Sequence, residues 1–99
     1  MSGPEKIWEN KLKAYLKSKG YYVVKVPGGS QVPKGTPDLI VCGPNGRFLG
    51  LELKAPMGRT SALQKHHIME IRNSGGYARV LKESDFEDFK KELDAMVEA

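Results

Sequence analysis

Three residues in this chain have the types and spacing to work on a phosphate ester: Asp38, Glu52 and Lys54. They stand in the stretch "GTPDLIVCGPNGRFLGLELKAP", Gly35 to Pro56, which is otherwise the most hydrophobic part of the sequence. Side chains alternate across a strand, so Leu49, Leu51 and Leu53 point one way and Gly50, Glu52 and Lys54 the other. Glu52 and Lys54 then lie about 7 Å apart along the strand. Asp38 sits at the start of the preceding apolar run. In an antiparallel hairpin the start of the first strand lies beside the end of the second, which brings Asp38 to Glu52 and Lys54. Two carboxylates suit a hard cation: Mg²⁺ takes oxygens at about 2.1 Å and uses one or two carboxylates, with water and phosphate in its other positions. An adjacent amine orients the attacking water or stabilises charge, and a cation polarises the phosphate and lowers the water pKa. The plain alternative is a surface ion pair, with Glu52 and Lys54 solvated on an exposed sheet face and Asp38 capping a turn. An isolated Glu-x-Lys favours that alternative. The Pro-Asp step before an apolar strand, the hairpin spacing and the apolar flanks favour the phosphate chemistry.

The positioning elements follow from pattern and punctuation. Pro4 and Glu5 open a helix that runs to Lys19 and stops at Gly20, with Ile7, Trp8, Leu12, Tyr15 and Leu16 as its buried face and Glu9 at the edge. "YYVVKV", Tyr21 to Val26, predicts a strand. A polar loop, Pro27 to Pro37, precedes a short buried strand from Leu39 to Cys42. "GPNG" turns the chain, and Arg47 to Leu53 returns as the second strand of a hairpin. Ser61 and Gln64 form a capping box for a helix to Asn73 whose apolar positions are Leu63, His67, Ile68 and Ile71. Gly75 and Gly76 end it, Tyr77 to Leu81 forms a fourth strand, and Ser84 with Glu87 opens a last helix lined by Phe86, Phe89, Leu93 and Val97. The order is αβββαβα, an α/β chain with a mixed sheet flanked by helices.

Composition bounds the rest. Ninety-nine residues predict a single domain, 1–99, with a thin core that dimerisation would thicken. Residues 1–80 hold 13 Lys/Arg against 5 Asp/Glu, a balance of +8, while residues 81–99 hold 3 against 7, a balance of −4. A basic body suits a phosphate backbone. Apolar runs are too short to span a membrane, the N-terminus lacks an apolar signal core, and the one cysteine fits a reducing compartment. A cytoplasmic location is expected, bacterial or in the host of a phage. "PGG" with Ser30 lacks the Lys-Ser/Thr ending of a P-loop, so no nucleotide cofactor is expected. His66 and His67 are neighbours on a helix, about 100° apart, and lack the spacing of a metal pair. Trp8, Tyr15 and Tyr22 are expected in the core, and Cys42 as a small buried hydrophobe. Among the cations, Lys34 and Arg59 flank the motif in loops and lead the phosphate-contact candidates, ahead of Lys25, Arg47, Lys65 and Arg72.

"GTPDLIV…GLELKAP" resembles the PD-(D/E)XK nuclease signature, and the wider pattern resembles its VRR-NUC branch. The resemblance rests on Glu9 in the first helix, Gly35 to Leu39, Glu52 to Lys54, Ser61 to Gln64, Gly75 with Gly76, and the strand Tyr77 to Leu81. It implies a restriction-endonuclease-like αβββαβ core, here followed by a C-terminal helix. It implies that Asp38 and Glu52, with the backbone carbonyl of Leu53, hold Mg²⁺ or Mn²⁺ and that Lys54 orients or activates the water. It further implies that Glu9 joins through a water or a second metal site and that Gln64 stabilises the site. The activity implied is a deoxyribonuclease on branched DNA such as four-way (Holliday) junctions, acting as a homodimer. A less selective duplex or flap nuclease, and a non-catalytic nucleic-acid-binding subunit, remain the alternatives.

Overall fold

The computed structural model describes residues 3–98, so residues 1, 2 and 99 of the expected domain lie outside the described residues. Helix α1 spans Pro4–Ser18, with Pro4 in its first turn, Glu5 near its positive end and Lys17 near its negative end. Strands β1 (Tyr22–Lys25), β2 (Leu39–Cys42) and β3 (Phe48–Leu53) follow, then α2 (Ala62–Asn73), β4 (Tyr77–Leu81) and α3 (Phe86–Glu98). The αβββαβ order with an added C-terminal helix is the expected one. The strands lie in the order β1-β2-β3-β4; β1 and β2 pair antiparallel, β2 and β3 antiparallel, and β3 and β4 parallel. The sheet is therefore mixed. Between β2 and β3, Pro44–Gly46 forms a 3-10 turn in which Asn45 and Gly46 take positive φ.

One sheet face carries the core. Leu39, Val41, Leu49, Leu51, Leu53 and Leu81 pack against Trp8, Leu12 and Leu16 of α1 and Phe86, Phe89 and Leu93 of α3. Fully burying each of the larger side chains is worth about 1.5–3 kcal/mol. Trp8 sits edge-on to Phe86, and its indole N–H donates to the Leu81 carbonyl at 3.2 Å. On the opposite face α2 packs closely over β3, because Gly50 leaves room: a Cβ there would lie 2.7 Å from Ile71 Cδ1.

Several expectations about burial are corrected. Ile7 is exposed, because Trp8, Leu12 and Leu16 already complete the stripe that α1 turns to the sheet. Val97 lies exposed near the end of α3. Along α2 only Ile68 is fully buried, and Leu63 is half-exposed. Tyr22 and Cys42 are exposed, not core. They share one row of the sheet with Phe48, on the face that α2 covers mainly over β3 and β4. Ser84 does not cap α3. Lys82 N–H donates to Asp85 Oδ2 at 2.8 Å, and a 3-10 turn over Glu83–Asp85 leads into the helix.

Candidate active site

Register brings the carboxylates together. Leu39 pairs with Leu51 across β2 and β3, so the next residues at that end, Asp38 and Glu52, face each other where the ladder stops. The Asp38 carbonyl accepts from Val26 N–H at 2.8 Å, and its side-chain Oδ2 accepts from Leu53 N–H at 2.8 Å. One residue thus binds both neighbouring strands, which fixes its carboxylate at the mouth of the hairpin.

Glu52 is 3% exposed on the most buried strand of the sheet. Its Oε2 accepts from Gln64 Nε2 at 2.9 Å and stands 3.5 Å from Lys54 Nζ. Its Oε1 is buried with no hydrogen-bond partner. Burial first, then the charge of Asp38, push the Glu52 carboxyl up to about 7, against the opposing pull of Lys54. A buried carboxylate with an orphaned oxygen beside a second carboxylate is a place where positive charge is missing. No group of three or more Asp, Glu, His or Cys side chains with metal-binding geometry occurs among the described residues. Two carboxylates are nevertheless the usual protein share for Mg²⁺, which keeps its remaining positions for water and phosphate. The donor set therefore fits a hard divalent cation.

Gln64 has two tasks. Its N–H donates to Ser61 Oγ at 3.1 Å and its Oε1 accepts from Ser61 N–H at 2.9 Å, completing the expected capping box. The remaining Nε2 is free to hold Glu52. Gly35, at φ +89°, seats the preceding loop on this helix start; a Cβ there would come within 2.7 Å of the Leu63 backbone. The loop carrying Asp38 and the helix carrying Gln64 are thereby locked edge to edge. Lys54 N–H donates to the Leu81 carbonyl at 3.0 Å, and the turn from Ala55 to Gly58 folds back against the Lys54 stem.

Glu9 is buried but stands apart from the pair. Its Oε1 meets Lys25 Nζ at 2.7 Å, and its Oε2 meets Lys6 at 2.9 Å and Lys13 at 3.1 Å. Burial would raise its pKa, but the hydrogen bonds from Lys25, Lys6 and Lys13 prevail and lower it to about 2. Lys25 Nζ stands between the two sets, 4.0 Å from Asp38 Oδ1. Lys6 and Lys13 were not singled out in the sequence, although their spacing of three and four residues from Glu9 on a helix is the signal that finds them.

The phosphate-contact candidates divide by location. Lys34 and Lys25 line an open cleft of about 810 Å³ formed by the 26–36 loop, with Asp38 on its wall. Pro27 to Ser30 belong to the same cleft. Arg59 is exposed just beyond the turn after Lys54, while Lys65 lies in a separate groove between α2 and β4. His66 is exposed on α2 and lies 3.8 Å from Glu70, while His67 beside it is half-buried.

Comparison with known proteins places this geometry. Residues 27–85 match the model of the VRR-NUC domain, a span that includes Asp38, Glu52, Lys54 and Gln64 and leaves out Glu9 and Lys25. A solved VRR-NUC domain superposes with a TM-score of 0.77 at 21% identity, covering 94% of this chain and 97% of that one. The Holliday junction resolvase Hjc from Archaeoglobus fulgidus superposes with a TM-score of 0.59 at 24% identity, covering 77% of this chain and 65% of that one. No curated protein matches the sequence. At these identities the likenesses speak to the fold, and the fold is shared.

Proposed function

The chain belongs to the VRR-NUC family of nuclease domains, and on that premise we propose that it is a Mg²⁺- or Mn²⁺-dependent endonuclease selective for branched DNA. The observation that carries the metal dependence is the buried, partnerless Oε1 of Glu52 beside Asp38. In this reading Asp38, Glu52 and the Leu53 carbonyl hold the cation, with the whole 1–99 chain as one nuclease domain. When bound, the cation polarises the scissile phosphate and lowers the pKa of the attacking water. Lys54 orients that water and steadies negative charge on the phosphate oxygens. Gln64 holds Glu52 in position through Nε2. Glu9 acts at a distance, by holding Lys25 next to Asp38. Lys34, Lys25, Arg59 and Lys65 contact the DNA backbone.

The preference for branched DNA draws on the fold shared with a Holliday junction resolvase. The homodimer draws on the uncharged face of exposed Tyr22, Val24, Cys42 and Phe48, with half-buried Ile40 among them. Two copies of an uncharged face meet without like-charge repulsion even though the chain carries +4. The test sets the native chain and Lys54→Ala against a four-way junction, a flap and a linear duplex of matched sequence, each with Mg²⁺, Mn²⁺ or EDTA. Junction cleavage by the native chain alone, lost in EDTA and in Lys54→Ala while binding persists, is the expected result. Equal cutting of duplex and flap replaces the branched preference with a less selective nuclease. No cutting of any shape sinks the catalytic reading. Sedimentation at micromolar concentration, with and without junction, decides the dimer.

A further inference from the structure

The groove between α2 and β4 has a volume of about 440 Å³ and lies on the flank of the site opposite the 26–36 cleft. Its nearness to the carboxylates is fixed by the chain itself: Lys65 follows Gln64, and Val80 is the register partner of Glu52. Ile68, Met69 and Val80 form its apolar floor, and Lys65, Arg72 and Arg79 are its cations. The three cations are not equivalent. Arg79 is engaged by Glu92 and by Asp85, so its charge is answered within the fold. Arg72 Nε donates to the Ala78 carbonyl at 2.9 Å, which anchors the guanidinium along the outer edge of β4. Lys65 takes no part in any ion pair among the described residues.

Lys65 and Arg72 are seven residues apart on one helix, about 10.5 Å along its axis. Cations on the rim and an apolar floor match a sugar–phosphate strand, whose anionic oxygens face outward and whose sugars are less polar. We propose that the α2–β4 groove is a second backbone-binding track, in which Lys65 and Arg72 hold the phosphates of a DNA strand leading away from the cut. With the 26–36 cleft on the other flank, the substrate crosses the Asp38–Glu52 pair between two tracks. Contact on both flanks is what a substrate with two arms requires, and it gives the groove a part in selecting branched DNA. This inference rests on the nuclease reading.

The test measures binding without cleavage, in EDTA, of a four-way junction and a matched linear duplex across a salt series. Each phosphate neutralised contributes about 0.9 to the slope of log affinity against log salt. Lys65→Ala is expected to lower the junction slope by about 0.9 and to weaken the duplex less. At the exposed floor residue Met69, the two substitutions must move oppositely: Met69→Lys raises junction affinity and Met69→Glu lowers it. Lys17→Ala, on the exposed end of α1, serves as the control and leaves the slope unchanged. The proposal is overturned if Lys65→Ala leaves the slope unchanged, if Met69→Lys and Met69→Glu shift affinity the same way, or if Lys17→Ala matches Lys65→Ala. Equal loss of junction and duplex keeps the track but removes its part in selecting branches. A native chain that cuts junctions while the groove variants behave as native overturns this inference alone. A native chain that neither binds nor cuts DNA overturns both.

Discussion

Glu9 and Glu52 are buried to the same degree, 5% and 3% exposed, yet they titrate in opposite directions. Burial raises the pKa of both and is the largest cause of the rise at Glu52; at Glu9 the neighbours overcome it. Glu9 is surrounded by three amines, which lower it to about 2. Glu52 has one amine, one amide and a second carboxylate, and it rises to about 7. The first is a finished ion cluster that holds α1 to β1; the second is an unfinished one that gains by taking in a cation. A fold that needed only stability would not leave a carboxylate in the second condition.

The comparison can be broken first at the rate of cleavage. Glu52→Gln is expected to reduce DNA cutting on the order of 10³-fold or more, a loss typical of removing a catalytic group. Its melting temperature at pH 8 should hold or rise, because a buried charge short of partners has been removed. A marked fall in stability would move Glu52 into the same class as Glu9.

Cation binding should give the next largest effect. At about 100 times its dissociation constant a ligand stabilises a protein by about 2.7 kcal/mol. Mg²⁺ is expected to do this at pH 8 and to do far less at pH 5.5, where Glu52 keeps its proton; thermal melts at the two pH values provide the measurement. Without metal, the sign runs the other way for this group. Between its ordinary 4.5 and about 7, the unfolded chain gives up a proton that the folded chain keeps, so stability falls as pH rises through that window. For Glu9 the unfolded chain holds the extra proton between about 2 and 4.5. Its contribution is complete above 4.5 and is lost as pH falls towards 2.

Glu9→Gln should then cost about 2 kcal/mol in urea unfolding at pH 7, since Lys6, Lys13 and Lys25 converge on a neutral group. Cleavage should fall far less than in Glu52→Gln. The smallest effect is the sharpest probe: Asp38→Asn removes the neighbouring charge and should bring the Glu52 carboxyl back down, as followed by NMR titration of its side-chain carbon.

The hairpin end of the site was legible because it is local. Strand alternation and the "GPNG" turn place Asp38 opposite Glu52 without any knowledge of the rest of the fold. The capping box did the same for Gln64, although its third hydrogen bond, to Glu52, depends on where the helix docks. Glu9 was harder, because its main partner, Lys25, is 16 residues away and on another element. The exposure of Tyr22 and Cys42 has a related cause. Apolar alternation tells which face a residue joins, not whether a helix covers that part of the face, and α2 packs mainly over β3 and β4. Ser84 and Glu87 have the spacing of a capping box, but Asp85 reaches the Lys82 N–H first and winds the chain into a 3-10 turn.

The bond from Leu53 N–H to the Asp38 carboxylate has a spectroscopic consequence. The adjacent amide, Lys54 N–H, donates to the Leu81 carbonyl in the ordinary manner of a sheet. Hydrogen exchange at Lys54 should therefore track the opening of the β3–β4 pair, whereas exchange and chemical shift at Leu53 should track the state of a carboxylate. Two consecutive peaks in one spectrum thus separate loosening of the scaffold from loading of the site.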